Sequence, residues 1–300
     1  MLSLLQGIKV VDFTTVVLGP YATQFLGDFG AQVTKIESLE GDTFRAIRPG
    51  RKDDVGAGFM AFNRSKRSLA LNLKHSDSAA VIKRLVADAD VVVHNMRARS
   101  AEGLGIGYER LASIKPDLVY CYSPGFASHG PDADLPAYDD VIQARSGLAA
   151  LNADCSGAPQ FLRTVACDKV VGMHLALAIV AALVHRLRTG EGQALEVPML
   201  EAMSSFTMAE HLGGRSFSPP LGELGYERLM SAERKPYSTK DGFMAIMPYT
   251  SRHWSRFFTL IGKSELAGAD WVMDGAQRSR RINELYALIA EAAPTKSNAQ

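Results

Sequence analysis

Apolar residues in this chain gather first into short runs bounded by polar or turn residues. Residues 8–13 (IKVVDF), Gln32–Glu37, Leu69–Leu73, Asp90–Asn95 (DVVVHN) and Asp117–Ser123 (DLVYCYS) read as buried strands. Helical periodicity lies between them: from Pro20, placed as a first helical residue, through Gly30, then Asp77–Ala87 and Tyr108–Ser113. Apolar strands alternating with helices predict an α/β fold, Rossmann-like, with a mainly parallel sheet covered on both faces. Ligands in such sheets bind beyond the carboxyl ends of the strands. Those ends carry Thr14–Pro20, Glu37–Gly41, Asn95–Arg99 and Ser123–Gly130, all polar or rich in Gly and Pro.

One apolar run is much longer, Val170–Leu187. It begins just after Asp168 and closes at the turn Arg188–Gln193, with a strand expected over Ala194–Met199. His174 and His185 interrupt it, so it falls short of the ~20 apolar residues of a membrane span and reads as a buried core helix. These elements set a large domain over residues 1–200. Residues 201–224, with the Ser/Pro/Arg-rich Arg215–Pro220, read as a linker. A smaller α/β domain is expected over 225–300: a turn at Pro236–Gly242, a strand at Phe243–Met247, and helices around Trp254–Ile261 and Arg281–Ala292.

Composition narrows the class. Apolar residues make up 47% and charged residues 22% of 300, and 33 Lys and Arg face 32 Asp and Glu. That near-neutral balance argues against nucleic acid or an anionic membrane as partner. Cys121, Cys155 and Cys167 have no metal-ligand spacing and read as reduced, largely buried thiols. Met1–Gly7 has neither the basic start nor the apolar core of a secretory leader, and a cytoplasmic location is expected.

Candidate chemistry centres on Asp168. At the start of a helix an aspartate is first an N-cap; it is also a carboxylate that the helix N-terminus keeps ionised and aimed, as a nucleophile requires. Cys167 beside it has no nearby base to activate it. Glu37 after the second strand imitates a dinucleotide site, but the first loop holds Gly19 alone and not G-x-G-x-x-G, so NAD is disfavoured and Glu37 is expected to pair with a base or cap a loop. Gly103–Gly107 lacks the Lys-Ser/Thr of a P-loop. The basic groups Arg64, Lys66, Arg67 and Lys74, and Arg97, Arg99 and Arg110, read singly as solvated charge and together as a place for several phosphates. No serine-hydrolase elbow and no metal-ligand spacing occurs, and no metal is expected.

An ordered set of motifs resembles the class III CoA-transferases, the family of formyl-CoA transferase and carnitine CoA-transferase. The set runs Gln6–Phe13 with Gly19-Pro20, Leu26–Ala31, Val33–Glu37, Asn63–Lys74, Asn95–Arg97 with Leu104–Ile106, then Asp168, Gly172, Ala181–Leu183 and Thr189–Gln193, reaching Pro236-Tyr237 and Asp241-Gly242. The resemblance implies transfer of CoA from an acyl-CoA to a free carboxylic acid, with Asp168 passing through a mixed anhydride and an aspartyl-CoA thioester. It implies CoA contacts at Val17, Leu18, Leu71, Asn72, Lys74, Asn95, Met96, Arg97, Tyr138 and Asp139. CoA would be the substrate, no cofactor tightly bound, and the assembly an interlocked homodimer. It also implies a small domain that continues past residue 300.

The chain departs from the family's pattern at Ala98-Arg99, Ser38 and Gly103, which moves phosphate contacts toward Arg99 or Lys66. Gly222–Gly225 is a poor match to the glycine-rich loop of formyl-CoA transferase, which argues against oxalate or formate as the acid. The related α-methylacyl-CoA racemases place a histidine where Tyr138 stands. A tyrosine of ordinary pKa, about 10, is a poor base at neutral pH, which favours transfer over racemisation. A non-catalytic CoA-binding protein is the alternative of a different class.

Overall fold

The computed structural model describes residues 2–52, 55–154 and 156–300; Cys155 lies outside the described residues. Contacts divide the chain into two compact units, one up to Thr207 and one from Met208 onward.

The first unit is built on six parallel strands: β1 (Lys9–Asp12), β2 (Gln32–Glu37), β3 (Lys66–Ala70), β4 (Val91–His94), β5 (Val119–Tyr122) and β6 (Gln193–Glu196). Their order across the sheet is β3-β2-β1-β4-β5-β6, every pairing parallel. The chain thus winds outward in both directions from β1 and β4, and a crevice opens where the winding reverses. The expected strands form, with shifts at the third and at the last, where Gln193–Glu196 stands for Ala194–Met199 and Met199 opens the next helix. The third is Lys66–Ala70 rather than Leu69–Leu73, because Lys66 and Arg67 pair in register with Val33 and Thr34 while Leu71 already belongs to the following loop.

Alternation along the strands builds two cores. Val10, Val91, Val93, Val119 and Cys121 face one side; Val11, Val92, Leu118 and Tyr120 face the other. On the first side lie α1 (Leu18–Asp28) and the long helix between β5 and β6. On the second lie α2 (Ser78–Ala87), the short α3 (Ala98–Gly103) and α4 (Tyr108–Ile114). Burying all of Val91–Val93 leaves no exposed strand in the middle, as a doubly covered parallel sheet requires. Pro20 is the third residue of α1, not the first, since the helix begins at Leu18.

Between β5 and β6 come α5 (Asp139–Arg145) and α6 (Ala166–Thr189). Alpha6 is not buried all round. Val171, Leu175, Ile179, Ala182 and Leu183 enter the core, while Met173, Leu177, Val184 and Leu187 are exposed in a stripe along the opposite face. An apolar helix with no polar face hides this in the sequence, because hydropathy does not say which side is covered. It is long and apolar enough to cross a membrane by length and composition, yet its first face packs on the sheet. Gly190, left-handed at φ 77°, ends it and donates its N–H to Arg186 O at 2.8 Å.

The expected linker is partly helical: α7 (Met199–His211) fills its first half, with Met199 and Met203 buried in the first core. Packing of these two residues on the first core makes this half helical, while the Ser/Pro/Arg-rich Arg215–Pro220 lies beyond its end. In the second unit, Pro236–Gly242 is not a simple turn. Beta7 (Tyr237–Thr239) and β8 (Gly242–Met244) form an antiparallel hairpin. Alpha8 (Ser251–Leu260) and α9 (Ile282–Ala292) bury Trp254, Phe258, Leu285 and Ile289 with Tyr237 in a separate core.

Candidate active site

Asp168 is not the cap of α6. The helix begins at Ala166, so Asp168 sits in its first turn, and the capping residue, Val165, offers no side-chain bond. The cap comes from elsewhere: Asp139 Oδ1 accepts the Asp168 N–H at 2.9 Å. Asp139 is itself held, its Oδ2 accepting from Gln143 Nε2 at 2.6 Å while Gln143 Oε1 accepts the Leu162 N–H. One carboxylate therefore satisfies the orphan donor of the helix that carries another.

This geometry changes the electrostatics expected for Asp168. Burial, with the neighbouring Asp139 charge as the second cause, raises its pKa to about 7. The helix N-terminus does not keep it fully ionised at neutral pH. A basic, partly desolvated carboxylate is a stronger nucleophile once its proton is lost. Cys167 points into the core, fully buried, and burial followed by the acidic neighbours pushes its thiol up to about 12, so it supplies no thiolate.

Opposite Asp168 stands the loop from β1 to α1. Gly172 lets the two helices meet: a Cβ there would lie 2.7 Å from Leu18 O. The loop is fixed residue by residue. Asp12 Oδ1 accepts from Thr14 N–H and Oγ1 at 2.8 and 2.5 Å. Asn95 exchanges two bonds with Thr15, its Oδ1 accepting the Thr15 N–H and its Nδ2 donating to Thr15 O, both at 2.9 Å. Val16 follows in the left-handed region, φ 69°. The chain then enters α1 with no side-chain cap, and among the described residues the N–H groups of Val17 and Leu18 meet no acceptor.

Val17, Leu18, Asn95, Arg97, Tyr138, Asp139 and Asp168 line one cleft of about 260 Å³, with Pro136 and Met199 in its wall. Leu71, Asn72, Lys74 and Met96 line a second, of about 370 Å³, beside Phe13, Ile36 and Leu104. Thr15 borders both. The two clefts follow the carboxyl ends of β1, β2 and β4, at the crevice where the winding reverses. Asp168 and the ten residues at which the resemblance implies CoA contacts thus line one cleft or the other, although Asp139 is engaged as a cap rather than free for a ligand.

The basic residues separate. Lys66 is buried, donating to Pro20 O and Asn63 Oδ1 at 2.8 and 2.9 Å beside Asp12, and cannot reach a phosphate. Arg64 pairs with Asp28. Lys74, Arg97 and Arg99 are exposed and make no ion pair among the described residues. Glu37 does both things expected of it: it pairs with Arg45 at 2.7 Å and accepts the Asp42 N–H, and these bonds outweigh its burial to hold it at about 2. No trio of His, Cys, Asp or Glu among the described residues is placed to hold a metal.

His94 went unread in the sequence. Tyr120 Oη donates to Ile106 O, so at 2.6 Å it accepts from His94 Nε2, and Nδ1 is left to accept the Met96 N–H at 3.1 Å. Burial lowers the His94 pKa to about 4, which keeps this neutral form. The loop Asn95–Arg97 is therefore pinned from below by a strand residue. A histidine closing an apolar strand gives no sign of that in sequence.

Comparison with known proteins gives consistent results. The model for CoA-transferase family III matches residues 5–300. Succinate–glutarate CoA-transferase of Agrobacterium fabrum is 32% identical over 270 residues, covering 88% of this chain and 68% of its own length. Succinyl-CoA:mesaconate CoA-transferase of Haloarcula marismortui is 31% identical over 298 residues, covering 96% of this chain and 74% of its own length. The chain spans 64% of another such relative, the acyl-CoA transferase of Fusarium pseudograminearum. Among solved structures, a CAIB/BAIF family protein from Brucella suis superposes with a TM-score of 0.81 at 30% identity, covering 100% of this chain and 80% of that one.

Proposed function

The chain belongs to CoA-transferase family III, and from that premise we propose that it moves CoA from an acyl-CoA thioester to a free carboxylic acid through Asp168. An Asp168 oxygen attacks the thioester carbonyl carbon, the C–S bond breaks, and CoA thiolate leaves an acyl-aspartyl anhydride. The thiolate attacks the Asp168 carbonyl carbon and expels the first acid as its carboxylate, leaving an aspartyl-CoA thioester. The acceptor carboxylate attacks that thioester and releases CoA thiolate; the thiolate then takes the new acyl group and frees Asp168. Each exchange is divided into steps between activated carbonyls.

The observation that carries this reading is the meeting of Asp168 with the open N-terminus of α1. Val17 and Leu18, whose N–H groups meet no acceptor among the described residues, line the same cleft as Asp168, and donors aimed into it would stabilise each tetrahedral oxyanion. The second cleft, lined in part by Lys74, suits the adenosine end of CoA, and the exposed Arg97, which lines the first cleft, and Arg99 would meet its phosphates. The acids exchanged differ among the relatives, as their names state. Two copies would pair through the exposed stripe Met173, Leu177, Val184 and Leu187 of α6, an apolar face too continuous for a solvated helix.

The decisive experiment incubates the protein with acyl-CoA, traps the intermediate with hydroxylamine or borohydride, and locates the mass change. A modification on Asp168, lost together with CoA exchange in Asp168→Ala, is expected. Exchange that survives Asp168→Ala removes the nucleophile assignment. Solvent deuterium appearing at the acyl α-carbon, with no exchange of CoA, would replace transfer by racemisation.

A further inference from the structure

We propose that the buried pair Lys35–Asp42 is a positioning device that holds Val16 in its left-handed conformation and so aims the Val17 and Leu18 N–H groups at the Asp168 cleft. Neither residue touches that cleft, and the chemistry proposed above does not use them. Both side chains are almost wholly buried, Lys35 2% and Asp42 0% exposed, with Nζ 2.9 Å from Oδ2.

The bonds of this pair converge on the loop. Asp42 accepts the Val16 N–H with both carboxylate oxygens, at 3.2 and 3.3 Å. Lys35 Nζ donates to Thr14 O at 2.6 Å. Asp42 is in turn oriented by Glu37, which accepts its N–H at 3.0 Å, and by Phe44 N–H, which donates to its Oδ1 at 2.9 Å. The chain of contacts runs from the end of β2 to Val16, which with Ser65 is one of two non-glycine residues at positive φ among those described, and the β-branched one of the two.

Val16 is the strained point. A β-branched residue at φ 69° places its Cβ against the backbone, a conformation that Gly adopts freely and other residues take only when held. Released, Val16 returns to negative φ, and the peptide planes on its carboxyl side rotate. Those planes carry the donors of Val17 and Leu18. Holding the loop by Thr14, Thr15 and Val16, with no acceptor on the Val17 and Leu18 N–H groups among the described residues, would leave these two donors free for a ligand yet fixed in direction. Donors that need not reorganise during reaction are the efficient kind.

This inference rests on the Asp168 chemistry, and the test separates the two. Single-turnover formation of the Asp168 adduct is measured at saturating acyl-CoA in the wild type, Asp42→Asn, Asp42→Ala, Val16→Gly and Val16→Gly/Asp42→Ala. Asp42→Ala should slow adduct formation by about tenfold or more, with KM for acyl-CoA changed less than twofold, since a misaimed donor costs rate rather than binding. Asp42→Asn, which keeps an acceptor for the Val16 N–H, should fall between. Val16→Gly, needing no restraint, should recover at least threefold of the loss in the double variant. Wild-type rate in a folded Asp42→Ala, or in Asp42→Asn together with a double variant no faster than Asp42→Ala, overturns the positioning role alone. If Asp42→Ala does not fold, Asp42→Asn is compared with Val16→Gly/Asp42→Asn, and an Asp42→Asn rate equal to wild type, or one that Val16→Gly does not raise, overturns it. Absence of any adduct in the wild type removes the Asp168 reading and this one with it.

Discussion

At the scale of single residues, the site turns on one carboxylate kept basic by burial and, second, by another carboxylate. Asp168 rises from 3.8 to about 7 in the folded chain, burial first and Asp139 second. The folded state therefore binds this proton more tightly than the unfolded one. Below about pH 4 both hold it and nothing is lost; between 4 and 7 stability falls with rising pH, and above 7 the full penalty applies. Asp168→Asn should be more stable to unfolding than the wild type at pH 8, by about 2 kcal/mol after discounting for partial exposure, and no more stable at pH 4. Calorimetry at the two pH values checks this. The rate of adduct formation should rise through about pH 7, and Asp139→Asn should move that rise to lower pH; an unmoved profile would leave burial as the whole cause. Asp168 was legible in the sequence only through its company, since a carboxylate opening a helix reads first as a cap. Asp139 as the actual cap, and Asp42 as the partner of Val16, were not legible. Those contacts join residues 29 and 26 positions apart, through loops whose paths no local pattern fixes.

At the scale of elements, two helix N-termini meet because a glycine allows it. Gly172→Ala would drive a methyl group to within 2.7 Å of Leu18 O, a backbone atom that cannot swing aside. It should cost about 1–3 kcal/mol by overpacking and lower the rate of adduct formation more than it raises KM. Thermal melts beside single-turnover rates test this; a stable variant at wild-type rate would show the approach to be loose. Most strands could be read from their apolar runs, because a strand buried on both faces cannot alternate. The edge strand β3 was misplaced by its polar start, Lys66-Arg67-Ser68, which is sheet despite having little to bury. The helices α5 and α7 were not read either. Each owes its stability to packing on the first core, through Ile142 and Met203, more than to a periodic surface of its own.

At the scale of the whole molecule, alternating elements foretold a parallel sheet, but its order came only from the structure. The order places β1 and β4 side by side, and through them the loops Thr14–Leu18 and Asn95–Arg97 that Thr15 and Asn95 tie together. The outer face of α6 was illegible for the opposite reason: it is as apolar as the inner one. If two copies pair there, Leu177→Glu, at a position 67% exposed in the single chain, should leave folding intact and shift the protein to monomer in sedimentation. A monomeric wild type at working concentration would remove the pairing. The same 24-residue helix bears Asp168 in its first turn. If two copies pair through this helix, the proposed nucleophile is mounted on the joint itself, and loosening of the joint would reach it along the helix. Activity per mole would then decline on dilution, at the concentration where partners separate, and the enzyme would register its own abundance.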